Sequence, residues 1–144
     1  MAAGQALDMT VMNNRTISDD VLLEIYHLKT GALFTASIEL GRLSANENNE
    51  RHAKPLHQFA EAMGLAFQIQ DDILDIEGSS EELGKPQGAD YKHNKFTYPS
   101  IHGLPQAKHK VEKLYEAALE SINYLGQSAQ LLRDLTTNLL SRKK

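Results

Sequence analysis

The chain has 144 residues, of which 41% are hydrophobic and 24% charged, and this composition fits one soluble domain with a single core. Its net charge of −4 argues against a nucleic-acid binder, because phosphate contacts require a basic face. Cysteine is absent, which excludes a disulfide framework, and no apolar run approaches the roughly 20 residues of a membrane span, so we expect a cytoplasmic protein without membrane partners.

The first two helices are predicted from local pattern alone. Residues 2–9 read like the middle of a helix, without a start signal. Ser18, followed by two acids, is a good N-cap for a second helix, which apolar residues at helical spacing extend to about Leu40 or Leu43. Gly31 in the interior of that helix costs up to about 1 kcal/mol against alanine, which predicts a close neighbour or a ligand at its face.

A second long helix follows a polar turn at 46–49. It is predicted over about 51–76, with Pro55 near its first turn or at a kink. Residues 79–97 are irregular, charged and rich in glycine. Such a basic loop either neutralises the acidic helix before it or closes over a bound diphosphate as a lid.

Three shorter helices are predicted in the remainder of the chain. Residues 98–101 lead into the first, the second runs over 106–125 with Pro105 at its first position, and the third runs over 128–140. Gly126 separates the last two. No alternating strand pattern of useful length occurs, so the predicted fold class is all-α.

The segment 67–75, Phe-Gln-Ile-Gln-Asp-Asp-Ile-Leu-Asp, sets three acids into an apolar helical pattern. At about 100° per residue, its polar side chains project within one sector of the helix; they are Gln68, Asp71, Asp72 and Asp75. Carboxylates about 6 Å apart repel by on the order of 2 to 3 kcal/mol at an effective dielectric near 20. Since no basic residue lies nearby in the sequence, a cation is expected at this face.

Mg²⁺ is the natural candidate, because it takes oxygen ligands from one or two carboxylates and from substrate phosphates. Zinc fits poorly, since cysteine is absent and no histidine pair is spaced for a site beside the acids. An exposed acidic helix end is the main alternative. The apolar flanks argue against this alternative, because they indicate a buried helix and buried acids need partners. Lys85 and Lys95, which follow in the loop, argue against it as well. Lys29, taken alone, would most often be a solvated lysine.

Six ordered blocks of the chain resemble the trans-isoprenyl (polyprenyl) diphosphate synthase family, and its bacterial farnesyl diphosphate synthases in particular. The match covers essentially the whole chain. It implies a bundle of long helices around a deep cavity, with two Asp-rich motifs facing each other across the mouth. The matching blocks are 4–8, 29–33, 67–75, 83–85, 87–90 and 95–99.

The resemblance implies Mg²⁺ as the cofactor. Asp71, Asp72 and Asp75 would form the second Asp-rich motif, with Asp71 the direct ligand and the other two acting partly through waters. The implied reaction is head-to-tail condensation of an allylic diphosphate with isopentenyl diphosphate to give geranyl or farnesyl diphosphate.

The resemblance also assigns roles to residues outside the acidic motif. The allylic diphosphate would be held by Lys29, Lys85 and Lys95. Thr30 and Gln68 would turn their oxygens toward the developing allylic cation. The family further implies a homodimer for the complete enzyme.

The resemblance begins inside a helix and runs to the family's C-terminus. We therefore expect 1–144 to be a partial synthase domain, the C-terminal half, which lacks the first Asp-rich motif and the isopentenyl diphosphate site. Such a chain would be inactive alone. One alternative is a non-catalytic subunit or interaction module that pairs with a complete synthase. A terpene cyclase relative is disfavoured, because its second metal motif is of an Asn/Ser/Glu type.

Overall fold

The computed structural model describes residues 1–11, 16–45, 50–78 and 95–142, and these ranges contain helices and no strand. The predicted all-α class is therefore confirmed. The predicted polar turn at 46–49 and most of the predicted loop, 79–94, lie outside the described residues. Among the helices described, none combines the length and hydropathy that crossing a bilayer requires. The helices are α1 (Ala2–Val11), α2 (Asp19–Tyr26), α3 (Ala32–Ser44), α4 (Glu50–Glu77), α5 (Tyr98–His102), α6 (Leu104–Ser121) and α7 (Gln130–Leu140).

A single helix was predicted where the structure has α2 and α3 joined by a π-helical turn, His27–Gly31. The N-cap prediction is confirmed, because the Val21 N–H donates to the Ser18 hydroxyl at 3.4 Å. The backbone stays helical through the join, so the predicted length is right. A π-helical hydrogen bond spans five residues, against four in an α-helix. The side chains of the turn, including that of Lys29, therefore point in directions different from those in the predicted regular helix.

Helix α4 is the central element, and α6 packs along it. The predicted bounds were close to the observed Glu50–Glu77, and Pro55 lies inside the helix near its start. Side chains from α2, α4 and α6 form one apolar core, and burying each large one contributes about 1.5 to 3 kcal/mol. The largest core residues are Leu22, Phe59, Met63, Ile69, Tyr115 and Ile122.

Two glycines bring the π turn and α4 into contact. A Cβ on Gly64 would lie 2.7 Å from the Cα of Gly31, which is closer than real Cβ atoms approach other atoms. The backbone of Gly31 therefore lies against α4 at Gly64, whereas a Cβ on Gly31 itself would meet only its own turn, 3.5 Å from the His27 Nδ1. This approach sets Thr30 directly beside α4.

The C-terminal helices begin and end close to their predicted bounds. The Ser100 N–H donates to the Thr97 hydroxyl at 3.3 Å, and the Thr97 N–H donates to the Ser100 hydroxyl at 2.9 Å, which forms a capping box for α5. Helix α6 ends at Ser121, earlier than predicted, and a 3₁₀ segment (Asn123–Ala129) follows it. The break predicted at Gly126 is confirmed by its φ of 55°, a value that favours glycine.

Several leucines on the outer faces of α3 and α7 remain exposed. Leu40 is 65% exposed and Leu131 is 80% exposed, although the sequence pattern places both in apolar helical periods. Leu33, Leu43, Leu135 and Leu140 are exposed as well. An exposed apolar surface of this kind is suited to packing against another helix or another protein surface.

Candidate functional site

The ammonium of Lys29 is fixed by an acid from α1. Gly4 lets α1 lie directly against the backbone of Lys29, since a Cβ there would overlap it. Asp8 follows one turn later on the same face of α1, and its Oδ2 lies 2.7 Å from the Lys29 Nζ. The Asp8 side chain is 5% exposed and that of Lys29 is 28% exposed. The charge of Lys29 is thus held in place at the edge of the core, and the bond uses one of its three N–H donors.

Thr30 and Gln68 meet across the contact between the π turn and α4. The Thr30 hydroxyl donates to the Gln68 Oε1 at 2.6 Å, and the Gln68 Nε2 donates to the Asp72 Oδ1 at 3.2 Å. A carboxylate only accepts hydrogen bonds, so Asp72 fixes which way the Gln68 amide points. The Gln68 oxygen consequently faces Thr30.

The hydroxyl of Tyr26 completes this network from α2. It donates a short hydrogen bond to the Asp72 Oδ2 and accepts the Tyr98 N–H at 2.8 Å. Burial, and then the negative charge of Asp72, raise the pKa of Tyr26 far above its usual value. Tyr26 therefore stays protonated at neutral pH and serves as a donor to the buried Asp72, which is 2% exposed.

Asp71 has a basic partner that the local sequence did not reveal. The Arg142 Nη2 lies 3.3 Å from the Asp71 Oδ1, and its guanidinium stacks over the Phe67 ring, 3.9 Å from the centroid. The Asp71 side chain is 53% exposed, so the pair is a weak one of about 0 to 1 kcal/mol. Asp71 is thus held loosely at the surface.

The three acids of the motif have different surroundings. Asp71 faces solvent, whereas Asp72 and Asp75 are each 2% exposed. Across the described part of the chain, no group of three histidines or acids converges as a metal site would require. One exposed carboxylate does fit Mg²⁺ that is completed by waters and phosphate oxygens, and it does not fit a closed structural site. Lys95 lies within the described ranges and is half-buried. Lys85 lies outside them.

An apolar cavity of about 320 Å³ lies between α3, α4 and α7. Phe34 borders it, and the Phe34 ring lies 5.5 Å from that of Phe67, the residue before Gln68. The contact between Phe34 and Phe67 is the link between this cavity and the segment that carries Gln68. Its other lining residues are Leu33, Ser37, Ile38, Phe59, Met63, Leu135 and Leu139.

Three residues of this region were missed by sequence reasoning: Asp8, Tyr26 and Arg142. Asp8 belonged to a block that matched the family, and that match was the available signal. Tyr26 and Arg142 carried no signal, because each reaches its partner across 46 or 71 positions of the chain.

Comparison with known proteins identifies relatives of this chain. The sequence profile described as Polyprenyl synthetase matches residues 1–133. Farnesyl diphosphate synthase of Escherichia coli (strain K12) is 41% identical over all of this chain and 49% of its own length. Farnesyl diphosphate synthase of Haemophilus influenzae is 43% identical over 99% of this chain and 48% of its own length. The chain thus spans about half the length of the curated relatives it matches.

A solved structure shares the fold. The crystal structure of a geranyltransferase from Helicobacter pylori, complexed with magnesium and isoprenyl diphosphate, superposes with a TM-score of 0.80 at 31% identity. The superposition covers 97% of this chain and 45% of that one. The helical arrangement described above is therefore similar to that of part of this relative.

Proposed function

This chain belongs to the polyprenyl synthetase family, and we propose that it forms the allylic-diphosphate side of a short-chain prenyl diphosphate synthase. The reaction is Mg²⁺-dependent head-to-tail condensation of an allylic diphosphate with isopentenyl diphosphate, which gives geranyl or farnesyl diphosphate. The similarity to farnesyl diphosphate synthases over the whole chain supports this reaction. A cytoplasmic location and a homodimeric complete enzyme remain predictions from the sequence.

The one observation that carries the proposal is the direct contact between two family-matching blocks. The hydrogen bond from Thr30 to Gln68 joins the Lys-Thr-Gly block to the Asp-rich block, 2.6 Å between their oxygens. Lys29 and Asp71 belong to these same two blocks. A diphosphate bound there would therefore meet a fixed ammonium from one block and a carboxylate-held cation from the other.

Asp71 is the residue that would hold Mg²⁺ directly, because its carboxylate faces solvent and its pair with Arg142 is weak. Mg²⁺ held by Asp71 would neutralise the negative charge that develops on the departing diphosphate. The buried Asp72 and Asp75 add negative charge behind Asp71. Their contribution to the metal is indirect.

Lys29, Lys85 and Lys95 bind and orient the diphosphate in this proposal. Lys29 retains N–H donors beyond the one that it gives to Asp8, so it can contact a phosphate oxygen without breaking that bond. A fixed donor is more effective than a mobile one, since no reorganisation is required when the carbon–oxygen bond breaks.

Thr30 and Gln68 act on the carbon side of the breaking bond. The Thr30 hydroxyl proton is directed at Gln68, which leaves the lone pairs of Thr30 to face a developing allylic cation. The apolar cavity offers a surface for the hydrocarbon chain, and it would shield the cation from water once its exposed side, at Leu33 and Leu135, is covered. Its volume of about 320 Å³ lies at the lower end of small-molecule sites.

The proposal assigns 1–144 to a partial synthase domain that carries the second Asp-rich motif without the first. The isopentenyl diphosphate site and the opposing motif would then come from outside these residues, and the exposed leucines of α3 and α7 suit packing against further helices.

Binding of an unreactive substrate analogue tests the proposal. We expect geranyl thiodiphosphate to bind the purified chain in the presence of Mg²⁺, as measured by isothermal titration calorimetry, and to be released by EDTA. Binding that is the same with and without EDTA would contradict a metal-assisted diphosphate site. Geraniol is the matched control, since it has the hydrocarbon chain without the phosphates.

A further inference from the structure

We propose that Tyr26 is a positioning residue, which holds helix α4 and the segment after Lys95 in one fixed arrangement. It does so through Asp72 on one side and the backbone N–H of Tyr98 on the other. The inference rests on the proposed function, because the arrangement affects activity only if Lys95 and α4 share a ligand.

The position of Tyr26 suits this role. It is the last residue of α2, directly before the π turn, and it is 2% exposed. Its phenol oxygen donates to Asp72 of α4 and accepts from Tyr98 at the start of α5. A single buried hydroxyl therefore joins three helices.

The bond to Tyr98 has a specific effect on α5. The first N–H groups of a helix have no partner within the helix, and Tyr98 is the first residue of α5. The capping box of Thr97 and Ser100 satisfies one of these groups, and Tyr26 satisfies the Tyr98 N–H. The start of α5 is therefore tied to α2 and α4, and Lys95 lies three residues before it in the chain.

The bond to Asp72 also connects Tyr26 to the hydrogen bonds around Gln68. Asp72 orients the Gln68 amide, and Gln68 accepts from Thr30. Loss of the Tyr26 hydroxyl removes one donor from a buried carboxylate and leaves the Tyr98 N–H without its acceptor. The Asp72 Oδ2 and the Tyr98 N–H must then find water or new partners. Helix α4 and the segment after Lys95 are then no longer held together by a shared hydrogen-bond partner.

The variant Tyr26→Phe keeps the ring and removes the hydroxyl. Tyr115→Phe is the matched control, because the Tyr115 hydroxyl is also buried and donates to Gln70 on α4 at 2.7 Å, away from α5. In ligand-free protein we expect amide hydrogen exchange at Tyr98 to rise about tenfold or more in Tyr26→Phe, as expected for a lost hydrogen bond of about 1.4 kcal/mol, and to stay unchanged in Tyr115→Phe.

Ligand binding supplies the second measurement. With Mg²⁺ present, we expect the affinity for a bisphosphonate, a diphosphate mimic, to fall about tenfold in Tyr26→Phe and to change less than about twofold in Tyr115→Phe. Unchanged exchange at Tyr98 would overturn the inference. An equal loss of affinity in the two variants would also overturn it, because the hydroxyl would then serve stability alone.

The two readouts separate this inference from the proposed function. If the wild-type chain binds no bisphosphonate, the proposed function fails, and the exchange comparison still decides whether Tyr26 ties α5 to α4. The wild-type protein gives a test that needs no variant. Its Tyr26 hydroxyl proton should appear as a slowly exchanging downfield NMR signal, and the absence of that signal would contradict the bond to Asp72.

Discussion

The Gln68 Nε2 lies 3.2 Å from the Asp72 Oδ1, one helical turn further along α4. This contact turns the second acid of the Asp-rich motif toward the protein interior. Its neighbour Asp71 faces solvent and pairs with Arg142 instead. Two adjacent carboxylates therefore have separate surroundings, and we assign metal binding to Asp71 and orientation of Gln68 to Asp72.

Replacement of Lys29 by methionine should weaken diphosphate binding. Lys29→Met keeps most of the unbranched side chain and removes the ammonium, which contributes about 1.5 to 3 kcal/mol in a charged hydrogen bond, so affinity should fall by roughly 10- to 100-fold. Calorimetry with a bisphosphonate and Mg²⁺ measures the change. Lys113→Met is the control, because Lys113 is exposed on α6 and pairs with Glu116. Equal affinities for Lys29→Met and Lys113→Met would refute the assignment of Lys29.

The contact between Gly64 and Gly31 predicts a contrast between two glycine substitutions. Gly64→Ala should lower the free energy of unfolding by about 1 to 3 kcal/mol, because the new Cβ would lie 2.7 Å from the Gly31 Cα and force the helices apart. Gly41→Ala should be neutral or stabilise by up to about 1 kcal/mol, since nothing lies within 4 Å of its Cβ position. Urea unfolding of both variants measures the contrast. A Gly64→Ala protein as stable as Gly41→Ala would show that the helices are not in close contact.

Alkaline pH should destabilise the protein through Tyr115. Burial raises the pKa of Tyr115 to about 12, against 10.0 for an ordinary tyrosine. Between these values the unfolded chain releases a proton that the folded chain keeps, so the stabilisation present below about pH 10 is lost as the pH rises toward about 12. Over this range the free energy of unfolding should fall by about 1 to 3 kcal/mol more in the wild type than in Tyr115→Phe. Identical pH slopes in the two proteins would contradict the raised pKa.

The isolated chain should have negligible prenyl transfer activity. The proposal assigns it one of two Asp-rich motifs and no isopentenyl diphosphate site, so it can bind the allylic substrate without joining it to the second one. A radiolabelled isopentenyl diphosphate assay with dimethylallyl diphosphate and Mg²⁺ measures this activity, with a complete farnesyl diphosphate synthase as the positive control. Robust condensation by the isolated chain would overturn the partial-domain assignment.

Most of the fold followed from the sequence, because its helices carry local signals. The N-cap at Ser18, the break at Gly126 and the apolar periodicity of α4 each act over one or two turns, and the predicted bounds were close to those observed. The π turn at His27–Gly31 was missed, since it inserts a residue without interrupting the apolar pattern. The shorter α6 was missed as well, because a 3₁₀ segment continues its pattern.

The contacts of the candidate site were less accessible to sequence reasoning. Acidic residues in an apolar helix predicted that partners would exist, but not which residues they are. Tyr26 and Arg142 reach Asp72 and Asp71 from distant parts of the chain, and only packing brings them together. The absence of a nearby basic residue therefore did not mean the absence of a basic partner.

The most direct test of the account is the Mg²⁺ dependence of diphosphate binding in Asp71→Ala. Loss of the Arg142 pair should leave the fold intact, because the pair is exposed and contributes about 0 to 1 kcal/mol. Asp134→Ala is the matched control, since Asp134 is an exposed acid of α7 that accepts from Gln130. We predict that wild type and Asp134→Ala bind a bisphosphonate with Mg²⁺, and that Asp71→Ala binds at least about tenfold more weakly. Equal Mg²⁺-dependent binding in all three proteins would contradict the assignment of Asp71 as the metal ligand.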